Sequence, residues 1–322
     1  MASRERTPDR RRGREAERPS EIDRRGWWDV LVRVREEIGQ DNASLIAAGL
    51  ALYALLAVFP GLTAAVSLYG LLASPEQVAG QFQDMAGMLP QQAADILGGA
   101  MQDIASKQEG TLGFGVAVGI LVALWSARKG MVALMQATNV AYDEDESRGF
   151  FRQIVVSLAF TIAAVVGFLL VLVLAVGVPV VLQETGLPQI LQLALVVLRW
   201  AVLWFLVVLG LAVVYRFAPD RDEPKWRWVT WGSAIAATLW IAGSVLFAFY
   251  VRNFGSYGAT YGALGGIVVL LLWFYLSGFI VMLGAEINAE MEHQTRRDTT
   301  KGRPEPIGER GAHVADTVGH RA

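Results

Sequence analysis

"IVVSLAFTIAAVVGFLLVLVLAVGVPVVL" (residues 154–182) runs for 29 residues without a charge. A hydrocarbon core about 30 Å thick is crossed by roughly 20 apolar helical residues, so this stretch reads as a transmembrane helix. Working outward, five more segments read the same way: 43–73, 112–142, 190–214, 229–251 and 262–285. The short alternating segments of a membrane barrel are not seen. The sequence therefore predicts an all-α fold, a polytopic membrane helical bundle of six transmembrane helices. Composition agrees, because 54% hydrophobic residues and a mean hydropathy of +0.40 exceed what a soluble chain of this length buries.

Lys and Arg flanking a span are retained on the cytoplasmic side. Eleven Arg precede residue 41, and alternating the six spans places 23 of the 28 basic residues on that side. Only Lys107 and Arg252 fall opposite, while Arg128, Lys129 and Arg199 lie inside spans. This pattern predicts a multi-pass membrane protein with both termini cytoplasmic. The polar, Arg-rich first 40 residues carry no signal peptide, so the first apolar run is expected to remain as an anchor.

A net charge of -2 argues against a nucleic-acid partner, which normally meets a basic face. With no Cys there is no disulfide, thiol nucleophile or Cys-held metal, and all three His lie in the last 30 residues. Neither a metal nor another cofactor is expected. Residues 1–26 and 293–322 are charged and lack apolar periodicity, so both are read as disordered cytoplasmic tails around a membrane domain at 27–292. Trp27, Leu31, Val34 and Ile38 share one helical face, as in a helix lying in the membrane interface. Between spans one and two, residues 75–110 carry two apolar stripes around Pro90 and read as short external amphipathic helices.

Inside the spans, Pro60-Gly61 marks either an ordinary proline kink or a discontinuous helix whose freed backbone lines a site. Arg128 and Lys129 are placed either to snorkel to the headgroups or to receive an anion. Arg199 sits deeper. No Asp or Glu falls within a predicted span; Glu286 stands at the end of the sixth, where it either pairs with Arg128 or Lys129 or gates the cytoplasmic mouth. Buried cations without buried acids suit an anionic or amphipathic ligand and lack the titrating carboxylate that a proton-coupled carrier uses. Gly115 and Gly119, and the series Gly258, Gly262 and Gly266, read as close-packing stripes.

"AAGLALYALLAVFPGL" (47–62), "LWSARKGMVALMQATNVAYD" (124–143), "YRFAPD" (215–220) and "FYVRNFGSYGATYGALGGIVVLLLWFYLSGFIVMLGAEINAE" (249–290) together resemble the YihY/virulence factor BrkB family of bacterial inner-membrane proteins, once labelled ribonuclease BN. The likeness covers about residues 27–292. It implies six spans, cytoplasmic termini and a role in envelope integrity or in export of lipid-like or other anionic molecules. The ribonuclease label fits poorly, since metal-assisted phosphodiester hydrolysis needs clustered His and carboxylates that the spans do not offer. The chain is thus not expected to be an enzyme.

The sequence points to a transporter or flippase of an anionic amphipathic solute or envelope precursor. Arg128, Lys129, Asn139 and Arg199 are its candidate substrate-binding residues, and Pro60, Gly61 and Glu286 its hinge or gate. The alternative is a non-transporting envelope-integrity scaffold whose cations hold structural lipids. Membrane lipids and an anionic lipid-like substrate are the expected partners in the first case; oligomeric state is not encoded legibly.

Overall fold

A computed structural model describes residues 12–72, 112–174, 188–254 and 263–321. The proposed external helices at 75–110, and Gly258 and Gly262, lie outside the described residues. Among the described residues the chain is helical, with no strand beyond an isolated Pro224–Thr300 bridge. A single-turn helix at Pro19–Glu21 precedes α1 (Arg24–Gln40), α2 (Ala43–Leu72), α3 (Leu112–Ala141), α4 (Phe150–Leu172), α5 (Gln189–Phe217), α6 (Trp226–Phe254), α7 (Ala263–His293) and the short α8 (His313–Asp316).

Phe150–Val171, Ile190–Phe217, Trp226–Asn253 and Gly265–His293 are each long and apolar enough to cross a membrane. They face outward with large side chains, Phe168 at 63% and Leu246 at 68% exposure. A helix that is apolar around its circumference has lipid for its solvent. α2 passes through Pro60 and Gly61 as one continuous helix. Pro60 removes one backbone hydrogen bond, which a long helix sustained by its neighbours tolerates.

The long helices form a ring in chain order, α2 against α3, then α4, α5, α6 and α7, with α7 closing back on α2. Among the described residues the α4–α5 seam is the sparsest junction of that ring. α7 is its hub and also touches α1, α3 and α8. Glycines set its close approaches at Gly278 and Gly284. A Cβ on Gly284 would lie 2.4 Å from Tyr215 Oη, and one on Gly278 3.3 Å from Ala47 O, whereas Gly266 faces open space. Small residues allow backbones to meet, but spacing alone does not say which of them do. Between α6 and α7, Trp240 Nε1 donates to Ser277 Oγ at 2.9 Å and Trp273 Nε1 to Ser244 Oγ at 3.2 Å, so each indole N–H is satisfied inside the apolar zone.

The expectation of disordered tails is corrected by residues 12–25 and 294–321, which are folded onto one end of the bundle. Thr295 Oγ1 donates to Ala16 O at 2.7 Å, Lys225 N to Thr299 O at 2.8 Å and Gly319 N to His293 O at 2.9 Å. Arg310, 4% exposed, donates to the carbonyls of Glu305, Ala315 and Arg296. These segments lack apolar periodicity because side-chain to backbone hydrogen bonds, not apolar stripes, hold them. Asp23 caps α1 by accepting from Arg25 N and Gly26 N. Val30 and Val34 bury that helix against Trp228, Ile287 and Met291, while Trp28 and Leu31 remain exposed.

Candidate functional site

α4 begins at Phe150 with Gly149 at its cap and no capping side chain, and α5 ends at Phe217. Their meeting leaves a cleft of about 460 Å³, within the size range of small-ligand sites. Its apolar wall comes from Val155, Val156, Ala159, Phe160 and Ala163 on α4 and Val213 on α5. On α4 these positions recur at helical spacing, which is why one face can line a slot. At the mouth stand Arg148, Arg152, Arg216 and Arg221 with Asp220 and Glu223.

Three of the four arginines are held. Arg148 grips Glu146 with two hydrogen bonds of 2.7 and 2.8 Å, donates to Ala218 O and lies 3.5 Å from Asp220. Arg216 meets Glu223 at 2.8 Å, donates to Pro224 O and stacks over Trp226 at 4.7 Å. Arg221, its side chain fully buried, pairs with the equally buried Glu292 at 2.8 Å and lies over the Tyr142 ring. Among the described residues Arg152 donates no hydrogen bond and forms no ion pair; it is exposed at the mouth and acts on Asp220 only through space. Burial alone would raise the Asp220 carboxyl, but the Ser147 hydroxyl and amide, with Arg148 and Arg152, hold it below the ordinary range.

None of Arg128, Lys129 and Arg199 lines this cleft. Arg128 on α3 donates to Ser157 Oγ on α4 at 3.1 Å and lies 4.7 Å from the Trp125 ring centroid. Lys129 is exposed and, among the described residues, has no ion pair. Arg199 stacks on Trp200 at 5.5 Å along α5. Asn139 is 4% exposed with both ends of its amide occupied, Nδ2 donating to Glu146 at 3.2 Å and Oδ1 accepting from Asp220 N at 2.8 Å. It braces the cleft's mouth from behind. Tyr53 and Gln136 border a smaller cavity of about 210 Å³ between α2 and α3.

Glu286 is 1% exposed and is not paired with Arg128 or Lys129, which corrects that alternative. Its neighbour is the Asp41 carboxyl, with which it shares a hydrogen bond. Burial, with the nearby charge of Asp143, pushes the Asp41 carboxyl up against that bond. In the sequence Arg148, Arg152 and Arg216 are among the 23 basic residues that the alternation of spans places on the cytoplasmic side. The signal that could have singled them out is arginine at the start of one span and at the end of the next, ends that an antiparallel pair brings together.

Glu144, in the loop between α3 and α4, accepts from His313 N at 2.7 Å. Burial raises its carboxyl to about 7 despite that bond and the charge of Arg221. A raised acid favours the folded state while protonated, and that contribution fades as pH rises from 4.5 through about 7. Thermal midpoints in detergent should therefore rise as pH falls through this window, and the rise should shrink in Glu144→Gln. An unchanged slope would show that Glu144 does not carry it.

Among the described residues no group of three or more His, Asp or Glu is arranged to hold a metal. The sequence model of a family described as virulence factor BrkB matches residues 34–307. A protein of Bacillus subtilis (strain 168) described as ribonuclease-like, YfkH, is 35% identical over 252 residues, covering 76% of this chain and 88% of its own. A UPF0761 membrane protein of Psychromonas ingrahamii is 30% identical over 277 residues, 82% of this chain and 88% of its own. A further UPF0761 membrane protein, from Aeromonas salmonicida, reaches 52% identity over 58 residues, 18% of this chain and 20% of its own. No solved structure matches the chain.

Proposed function

This chain belongs to the virulence factor BrkB family of membrane proteins, and from that premise we propose that it is a transporter or flippase for an anionic amphipathic solute or envelope precursor. One observation supports this reading best: the α4–α5 cleft joins an arginine-lined mouth to an apolar slot at the sparsest seam of the bundle. An amphipath presents the complementary surfaces, an anion for the mouth and a hydrocarbon for the slot. In this reading α2 to α7 all span the bacterial inner membrane, the termini and the arginine mouth face the cytoplasm, and the solute enters sideways between α4 and α5. Arg128, Lys129 and Arg199 then stand away from the entry cleft, as further cations elsewhere on the bundle. We place the chain outside the enzymes, and the ribonuclease-like description remains that of the Bacillus relative.

A second reading, the non-transporting envelope scaffold, draws support from the immobilised end of the bundle, where Arg33 and Glu290 as well as Arg221 and Glu292 are buried as pairs. Filling the slot separates the two. With purified protein in vesicles, Ala159→Trp should reduce translocation of a fluorescent anionic lipid analogue by roughly tenfold or more, equivalent to about 1.4 kcal/mol or more. Its thermal midpoint should stay near that of the wild type, because Ala159 is exposed to the cleft. Absence of flux from well-folded wild type would favour the scaffold, and equal flux from both proteins would remove the cleft from the pathway.

A further inference from the structure

The charges around the cleft set how many negative groups its ligand carries. The following step rests on the reading that the α4–α5 cleft is where an anionic amphipath binds. Four arginines line the mouth, and the carboxylates of Glu146, Asp220, Glu223 and Glu292 stand against them. Arg148, Arg216 and Arg221 are spent on these acids and on main-chain carbonyls, and each is too buried to turn outward without stranding a charge. Among the described arginines of the mouth Arg152 alone keeps its guanidinium fork available, within the first turn of α4. The uncapped start of that helix adds positive potential beside it, because the first-turn N–H groups point outward along the axis.

A phosphodiester with one negative charge matches one planar fork. A second negative charge on the same ligand finds no unspent cation at the mouth; instead it approaches Asp220 and Glu223, a repulsion that costs most where water is displaced. The slot is likewise scaled to one hydrocarbon chain. From Arg152 to Ala163 α4 rises by about 16 Å, close to half of a hydrocarbon core of about 30 Å. We infer that the cleft binds a monoanionic phosphodiester lipid, with its phosphate on Arg152 and one acyl chain along Val156, Ala159 and Ala163.

The experiment titrates the full-length protein in neutral detergent with defined probes and counts bound molecules by native mass spectrometry. The probes are phosphatidylglycerol, phosphatidic acid with the same chains, and glycerophosphoglycerol, which is the first headgroup without chains. Phosphatidylglycerol is expected to bind at least about fivefold more tightly than phosphatidic acid, whose monoester carries up to two charges. The chainless headgroup is expected not to bind measurably. Arg152→Gln should weaken phosphatidylglycerol by about tenfold, the scale of one charge-assisted hydrogen-bonded contact, and Arg152→Lys should restore part of it. Ala163→Trp should abolish lipid binding while the thermal midpoint is kept.

Equal or tighter phosphatidic acid binding, or indifference to Arg152→Gln, overturns the single-charge inference; if Ala163→Trp still abolishes binding, the cleft itself survives. Binding by the chainless headgroup equal to that of the lipid overturns the lipid assignment. If Ala163→Trp alters no lipid, or no lipid binds the wild type, the proposed site falls together with the inference.

Discussion

Glu292→Ala is expected to destabilise the protein by about 3–5 kcal/mol, the cost of leaving one partner of a buried ion pair alone. Glu292 and Arg221 are both fully buried as side chains and meet at 2.8 Å. The other carboxylate contact is Thr299, whose hydroxyl donates at 2.7 Å and ties the C-terminal segment to the same point. Loss of the carboxylate strands the guanidinium over the Tyr142 ring in a place that water does not fill readily. Reversible unfolding titrations in mixed detergent provide the measurement. A paired replacement, Arg221→Met with Glu292→Leu, should recover much of the loss, because the two desolvation costs disappear together. A single-variant loss under about 1 kcal/mol would place the pair in the class of surface bridges.

The second large effect is expected at Gly232. A Cβ there would stand 2.4 Å from both Gly284 O and Asn288 Oδ1, so backbone as well as side chain would have to move. Asn288 accepts from Gly232 N at 2.9 Å and donates to Val229 O at 3.2 Å, a buried amide that joins α7 to α6 at both its ends. Overpacking costs about 1–3 kcal/mol and a stranded buried polar group about 1–3 more, so Gly232→Ala should lose about 2–6 kcal/mol. Gly266→Ala supplies the contrast: with open space around it, its stability should stay level or rise by about 0.4–1 kcal/mol. Similar losses at both glycines would show that intrinsic helix effects, not the crossing of α6 and α7, govern this region.

Helix positions were legible because lipid imposes a pattern of length and apolarity that a sequence displays directly. Predicted ends fell short where polar residues extend a helix: α7 runs beyond Ala285 to His293 because Asn288, Glu290 and Glu292 find partners on other segments. Residues 294–321 were illegible for a related reason. Their order rests on individual hydrogen bonds to residues far away in sequence, such as Thr295 to Ala16 and His313 to Glu144, and such bonds leave no periodic trace.

The candidate cations were visible one by one, but their company was not. Arg128 could be read as a buried charge, yet only the fold shows Ser157 on a neighbouring helix accepting its hydrogen bond. Arg148 and Arg216 looked like orientation signals because span ends carry arginines in any membrane protein. What separates Arg152 from them is the set of acids already spent on the others, and that is a property of three-dimensional neighbours.

The sparse junction between α4 and α5 acts mechanically as the split in a ring. Arg148, bonded to Ala218 O across the helix ends, clasps the split at its arginine-rich edge. The edge of this seam that carries the arginines is thus the one that is fastened.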